Sequence, residues 1–296
     1  VFKLSHKINN RHHRFGQILL LAIFFSSVNC HTDDLPPRIL VFSKTAGYRH
    51  ASIPVGVAAL RKLCQENDML LDSTENADDF NDQNLCRYAA IVFLSTTGDI
   101  LNPEQEIAFE RYIQAGGGFV GIHAATDTEY GWGWYGELVG AYFKDHPAIQ
   151  EATIHVKTHD HPATQHLDDT WKRTDEWYNF RDLNPAVHVL LTLDESSYQG
   201  GAMGANHPVS WHHDYDGGRA FYTALGHTEA SFGEPDFLNH VLGGLKYAIG
   251  ANHRLRYDLC RTPELPDQSR FIKTVLAENH CQSLPISPNA NSKTGP

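Results

Sequence analysis

The chain is short of positive charge. Across 296 residues, 24 Lys and Arg face 35 Asp and Glu, a net charge of −11 at pH 7. A field of that sign excludes a protein that holds nucleic acid mainly through the phosphate backbone, so no nucleic-acid partner is expected. Cysteine is scarce as well, with 5 residues and none in a CxxC spacing, which argues against a thiolate zinc cluster. The triple glycine at 116–118 follows a helical pattern and lacks the GK[ST] ending of a P-loop, so it reads as a helix stop and gives nicotinamide or nucleotide binding no support. What the chain has in quantity is apolar and aromatic side chains: 41% hydrophobic, with 15 Phe, 12 Tyr and 5 Trp. That composition specifies a globular protein of one or two domains with a core large enough to need no disulfide scaffold.

Residues 1–30 carry Lys3, Lys7, Arg11 and Arg14 and no acid, then the run ILLLAIFFSSV at 18–28. A basic segment before an apolar stretch too short to span a bilayer comfortably reads as an export signal. The sequence SVNC at 27–30 resembles a bacterial lipoprotein box. The expectation is an exported protein, periplasmic or tethered to the membrane through lipid on Cys30. Cys64, Cys86, Cys260 and Cys281 then remain, compatible with up to two disulfides or with free thiols.

From Arg38 the pattern becomes regular. RILVFSK (38–44), YAAIVFLSTT (88–97) and GFVGIHAA (118–125) are apolar runs of buried strands, with MLLDST (69–74) a weaker candidate. Between them, 54–67 and 102–118 show helical spacing, each with an early proline, and the second ends in glycine. The alternation predicts a doubly wound, mostly parallel α/β sheet with helices on both faces. Further strands are expected at 151–157, 187–193, 207–211 and 219–225, and a closing helix at 234–248. Residues 126–185 show little periodicity and read as a large insertion or set of loops over one sheet edge. The chain thus divides into a signal (1–30), a folded domain (38–250) and a polar extension (251–296) whose last residues, 283–296, read as disordered.

Several blocks, in chain order from about 38 to 250, resemble the ThuA-like (trehalose utilisation) family: FSKTAGYRHASIP (42–54), AFERYIQAGGGFVGIHAATDTEY (108–130), RTDEWYNFR (173–181), MGANHPVSW (203–211) and GGRAFYTALGHTEASF (217–232). The resemblance implies a class I glutamine amidotransferase-like, flavodoxin-like fold and a role near carbohydrate metabolism. In that fold the turn after a middle strand presents a nucleophilic cysteine, with a histidine and a glutamate two residues apart as its partners. Here the elbow holds His123 and no cysteine, while His227 and Glu229 resemble the partner pair. Glutamine hydrolysis through a thioester is therefore not expected.

Ligands in an open α/β sheet collect beyond the carboxyl ends of the strands. That rule selects His50, His123 and His227 as one catalytic centre, because each follows a strand and imidazole serves near neutral pH as acid, base or ligand. Asp127 is placed to orient the His123 ring or to cap a following helix. Glu176, beside Trp177, Tyr178 and Phe180, reads as a raised-pKa acid, a metal ligand or part of an aromatic-anchored loop. His50, His123, His227 and Glu176 together form a possible site for a divalent metal such as zinc. Tyr48, Trp132, Trp134, Trp177 and Tyr178 are expected to wall a sugar pocket, with His146, His207 and Glu229 as further substrate contacts. Asp175 reads as structural. His212 and His213 are neighbours in a strand, so at most one of them can face a pocket.

Two functions remain open. The first is an exported enzyme that cleaves a sugar derivative, an oxidised disaccharide or glycoside, by hydrolysis or elimination with histidine and carboxylate groups. The second is a non-catalytic carbohydrate-binding accessory of a sugar-oxidising enzyme, which would be its partner.

Overall fold

The computed structural model of the protein describes residues 35–251 and 254–263. The expected signal, Cys30, Cys281 and the expected disordered tail lie outside the described residues. The elements run β1 (Arg38–Phe42), α1 (Ser52–Gln65), β2 (Leu70–Thr74), α2 (Asp82–Leu85), β3 (Ala90–Leu94), α3 (Pro103–Gln114) and β4 (Gly118–Ile122). They continue with α4 (Gly133–Val139), β5 (Tyr142–Asp145), β6 (Gln150–Val156), β7 (Thr170–Asp175), β8 (Asn179–Arg181), β9 (His188–Leu193), β10 (His207–Tyr215), β11 (Gly218–Thr223) and α5 (Pro235–Ile249).

Nine strands make one sheet in the order β2-β1-β3-β4-β11-β10-β9-β6-β7, and β5 pairs with β8 separately. From β2 to β11 every pairing is parallel. β1, β3 and β4 are buried almost throughout, which is why their sequences read as unbroken apolar runs. α3 starts with a reciprocal cap: the Asn102 side chain accepts from the Gln105 backbone while the Gln105 side chain accepts from that of Asn102. It stops at Gly116, whose φ of +102° favours glycine, as the triple glycine predicted.

Beyond β11 every pairing is antiparallel. The switch starts at the tight turn Asp216-Gly217, where both residues have positive φ, the geometry that joins twisted antiparallel neighbours. The α/β class therefore holds, with an antiparallel extension on one side of the parallel half. Within the stretch expected to be loops lie α4, β5, β7 and β8 as well as the expected β6. β7 went unread because its inward positions are Trp171, Arg173 and Asp175. Two of the three are charged, so its period-2 burial carries no period-2 hydrophobicity.

This extension curls. In a flat sheet β7 would lie about 24 Å from β4, five strand spacings away. Instead β7 packs beside α5: the Trp171 ring is 6.4 Å from that of His240, and Arg173 sits 5.1 Å over Phe237. Register shifts at Ser210 in the β9–β10 pairing mark the kind of irregularity that increases local twist. Residues 255–260 return to the other side, where Leu255, Tyr257 and Cys260 pack with Cys86 and Ala115. Cys64 is a free thiol in the main core, and burial pushes its pKa up to about 11. Among the described residues, no helix is long and apolar enough to cross a membrane.

Candidate functional site

The parallel strands point their carboxyl ends at one edge, and four side chains meet there from four separate segments. His50 stands in the loop between β1 and α1. His123 is the first residue after β4, held at φ +52°. His227 follows β11 by four residues, and Glu176 directly follows β7, whose end the curl has carried over that edge. Each of the four offers a ligand atom, and these atoms all lie within 4.8 Å of one another.

The His123 ring is fully buried, and its Nδ1 lies 2.8 Å from the Ala224 carbonyl. A carbonyl only accepts, so Nδ1 carries the proton and Nε2 is the atom turned inward. Nε2 lies 3.0 Å from His227 Nδ1 and 3.5 Å from Glu176 Oε2, and His227 Nδ1 is 3.0 Å from the same Oε2. His50 stands edge-on to both rings, with centroids at 4.8 and 5.1 Å. It is buried, and its Nδ1 has no hydrogen-bond partner. Burial, reinforced by the neighbouring His123 and His227, lowers its pKa to about 3, so its ring is neutral at physiological pH.

Glu176 behaves differently from a raised-pKa acid, one of the sequence alternatives. Burial does oppose its ionisation, but the adjoining His123 and His227 rings outweigh that effect and hold the carboxyl below its ordinary range. Its other oxygen, Oε1, lies 3.0 Å from Nδ1 of His146, a partly exposed ring that also lies 2.9 Å from the Pro147 carbonyl. His146 therefore joins the centre at its solvent side and forms the local turn as well.

Other expected site residues divide into three groups. Tyr48, 66% exposed, stands edge-on to His50 at 4.8 Å and forms part of the rim. Tyr178 packs its ring 4.4 Å from that of His123. Asp127 stands close by without a hydrogen bond to His123: Tyr130 donates to it at 2.6 Å, and burial raises its pKa. It caps no following helix; it ends the single turn at His123–Thr126.

His207 and Trp177 act from behind. His207 is fully buried; its Nε2 donates to the Tyr178 carbonyl at 2.8 Å, and its Nδ1 meets Glu195 at 2.9 Å and the Tyr198 hydroxyl at 3.1 Å. Trp177 is fully buried and donates to the Gln150 carbonyl at 2.9 Å. Neither presents a free surface to a substrate.

Trp132, Trp134 and Glu229 do not join the centre. The two tryptophans stack on each other at 5.0 Å and meet Phe109 of α3 edge-on at 6.4 and 5.9 Å, and Trp134 donates to Asp216 at the opposite end of β11 from His227. They stand at the start of α4, where the run GWGWYG at 131–136 spells GxGxxG, yet it follows no strand. Glu229 is exposed in the first turn of the short helix Glu229–Gly233, whose start is capped by Thr228. A spacing of two residues after His227 turns it away. His212 and His213 also lie elsewhere: His212 stacks on His161 at 4.4 Å, and the His213 Nε2 donates to Leu138.

A family model described as ThuA, trehalose utilisation, matches residues 38–248. Among solved structures, a ThuA-like protein from Bacteroides uniformis is 21% identical with a TM-score of 0.64, covering 77% of this chain and 97% of that one. A ThuA-like protein from Parabacteroides merdae is 19% identical with a TM-score of 0.62, over 76% of this chain and 99% of that one. A cytoplasmic protein from Salmonella typhimurium is more distant, at 12% identity and a TM-score of 0.52 over 71% and 99%. At these identities the structural likeness speaks for the fold alone. No match was found among the curated proteins. The family match runs from the first strand to the last helix, well over half of the chain, so this protein belongs to the ThuA trehalose-utilisation family and its function is related to carbohydrate utilisation.

Proposed function

We propose that the protein is an enzyme that cleaves a sugar derivative, an oxidised disaccharide or glycoside, at the His50–His123–Glu176–His227 centre, with a divalent cation such as zinc. The observation that carries this reading is the convergence of three imidazoles and one carboxylate within 4.8 Å. Ligand atoms at about 2.05 Å around a tetrahedral zinc lie about 3.3 Å apart. The separations among His123 Nε2, His227 Nδ1 and Glu176 Oε2, at 3.0, 3.0 and 3.5 Å, match that figure. The Ala224 carbonyl on His123 Nδ1 is the outer hydrogen bond that fixes the tautomer of a metal-bound histidine. His50, neutral and with its Nδ1 unpartnered, supplies a further nitrogen.

A cation held here would polarise a keto or hydroxyl oxygen of the sugar. The chain's own groups supply the rest. Glu176 holds its negative charge between His123, His227 and His146, Tyr178 backs the His123 ring, and Tyr48 offers an exposed aromatic face at the rim for a sugar ring. The basic, apolar start of the sequence supports export, with Cys30 as a candidate tether, and a sugar-oxidising enzyme would supply the keto substrate.

The test is elemental analysis of unstripped protein together with a screen of glucosides, disaccharides and their keto derivatives on wild type, His123→Ala and Glu176→Gln. Bound metal and turnover that both fall in the variants are expected. Turnover that survives both substitutions would reject the site, and wild-type binding without conversion would favour the accessory role.

A further inference from the structure

Asp175 is a fully buried charge outside the ligand set, and it touches both halves of the centre. Its Oδ1 accepts the backbone N–H of Glu176 at 3.0 Å and that of His227 at 3.1 Å. Its Oδ2 accepts the backbone N–H of Gly226 at 2.9 Å. One carboxylate therefore ties the end of β7 to the segment after β11, across 52 residues of sequence. Those two segments belong to strands at different places in the sheet order, and no ladder pairing joins them.

A buried carboxylate is costly unless it is paired and hydrogen-bonded. Arg173, one turn of the pleat earlier on the same face of β7, lies 3.2 Å from Oδ2. Its guanidinium donates to Ser231 at 2.8 Å, lies 3.2 Å from Glu234, and is flanked by the rings of Trp171 and Phe237. The Asp175 charge is thus held in place by groups that themselves do not reach the centre.

We propose that Asp175 is a positioning residue that sets the separation of Glu176 Oε2 from His227 Nδ1, and through it the affinity and geometry of the metal centre. The inference rests on the metal reading given above and adds the residue that controls it. The side chains of Glu176 and His227 leave backbones whose N–H groups share one oxygen, so a shift of that oxygen moves both ligands relative to His123, which is carried separately by the end of β4.

The experiment uses the full chain as wild type, Asp175→Asn, Asp175→Glu and a control, Leu85→Ala, which opens the core at α2 away from the centre. Zinc affinity is measured by competition with a chromophoric chelator, the cobalt(II) visible spectrum is recorded, and histidine imidazole NMR signals are followed in the metal-free protein. Both Asp175 variants are expected to bind zinc about 10- to 100-fold more weakly, the range for loss of an outer hydrogen-bond partner, with an altered cobalt spectrum. Leu85→Ala should lower the melting temperature and leave both readouts at wild-type values. Wild-type affinity and spectrum in whichever Asp175 variant folds would overturn the proposal. If wild type itself takes up no divalent metal, the metal reading fails, and the NMR decides the positioning role. His227 signals that move in the Asp175 variants and not in Leu85→Ala support it, and signals unchanged in both refute it.

Discussion

His240 gives a sharp measurement of how burial sets the acid limit of this fold. Its ring is fully buried in α5; Nδ1 lies 2.8 Å from the Ala163 carbonyl and Nε2 3.1 Å from the Ser210 hydroxyl. Burial lowers its pKa to about 3, against an ordinary value of 6.5. Below pH 6.5 the unfolded chain takes up a proton that the folded one refuses, so stability falls as pH falls towards 3 and is fully present above 6.5. Between pH 7 and pH 4.5 the loss from this one group is about 2.5 kcal/mol, a sizeable share of the 5–15 kcal/mol typical of a domain. His240→Asn removes the titrating ring while keeping a neutral polar side chain. The variant is destabilised at all pH values by its smaller volume, but its stability should decline less steeply on acidification. Urea unfolding at pH 7, 5.5 and 4.5 measures both slopes. Equal slopes in wild type and variant would refute the assignment of a buried neutral histidine.

Other outcomes follow from the same geometry. Zinc at about 1,000 times its dissociation constant should stabilise the wild type by about 4 kcal/mol, seen as a higher melting temperature that a chelator reverses, and Glu176→Gln should abolish most of that shift. His207→Ala leaves the buried Tyr178 carbonyl without its partner, while Glu195 keeps the Met203 and Gly204 N–H groups, so a cost of about 1–3 kcal/mol in urea unfolding is expected, with lower turnover because Tyr178 backs His123. Trp134→Ala should lower stability by about 2 kcal/mol and leave sugar turnover and zinc affinity unchanged, since its ring lies with Phe109 and Tyr215. Gly243→Ala puts a Cβ 2.3 Å from the backbone of Pro162 and Ala163, and the overpacking should cost about 1–3 kcal/mol in thermal unfolding.

The sequence by itself determined the parallel half. β1, β3 and β4 are buried on both faces, so their residues are apolar almost in succession, and α3 between β3 and β4 carries an N-terminal cap and a glycine stop. Because parallel strands direct their carboxyl ends to one edge, the placement of His50, His123 and His227 at strand ends was legible too. Only the tertiary structure decided what meets them there. β7 carries Arg173 and Asp175 inward, so no hydrophobic alternation announces it. The curl that brings Glu176 from the far edge of the sheet to within 3.5 Å of His123 is a property of twist summed over five strand spacings. Trp132 and Trp134 mark the converse limit. Aromatics close to a histidine in sequence are expected in a pocket wall, yet the chain between the end of β4 and α4 carries both rings to the face of α3, where Phe109 offers an apolar surface that the polar edge of the sheet does not.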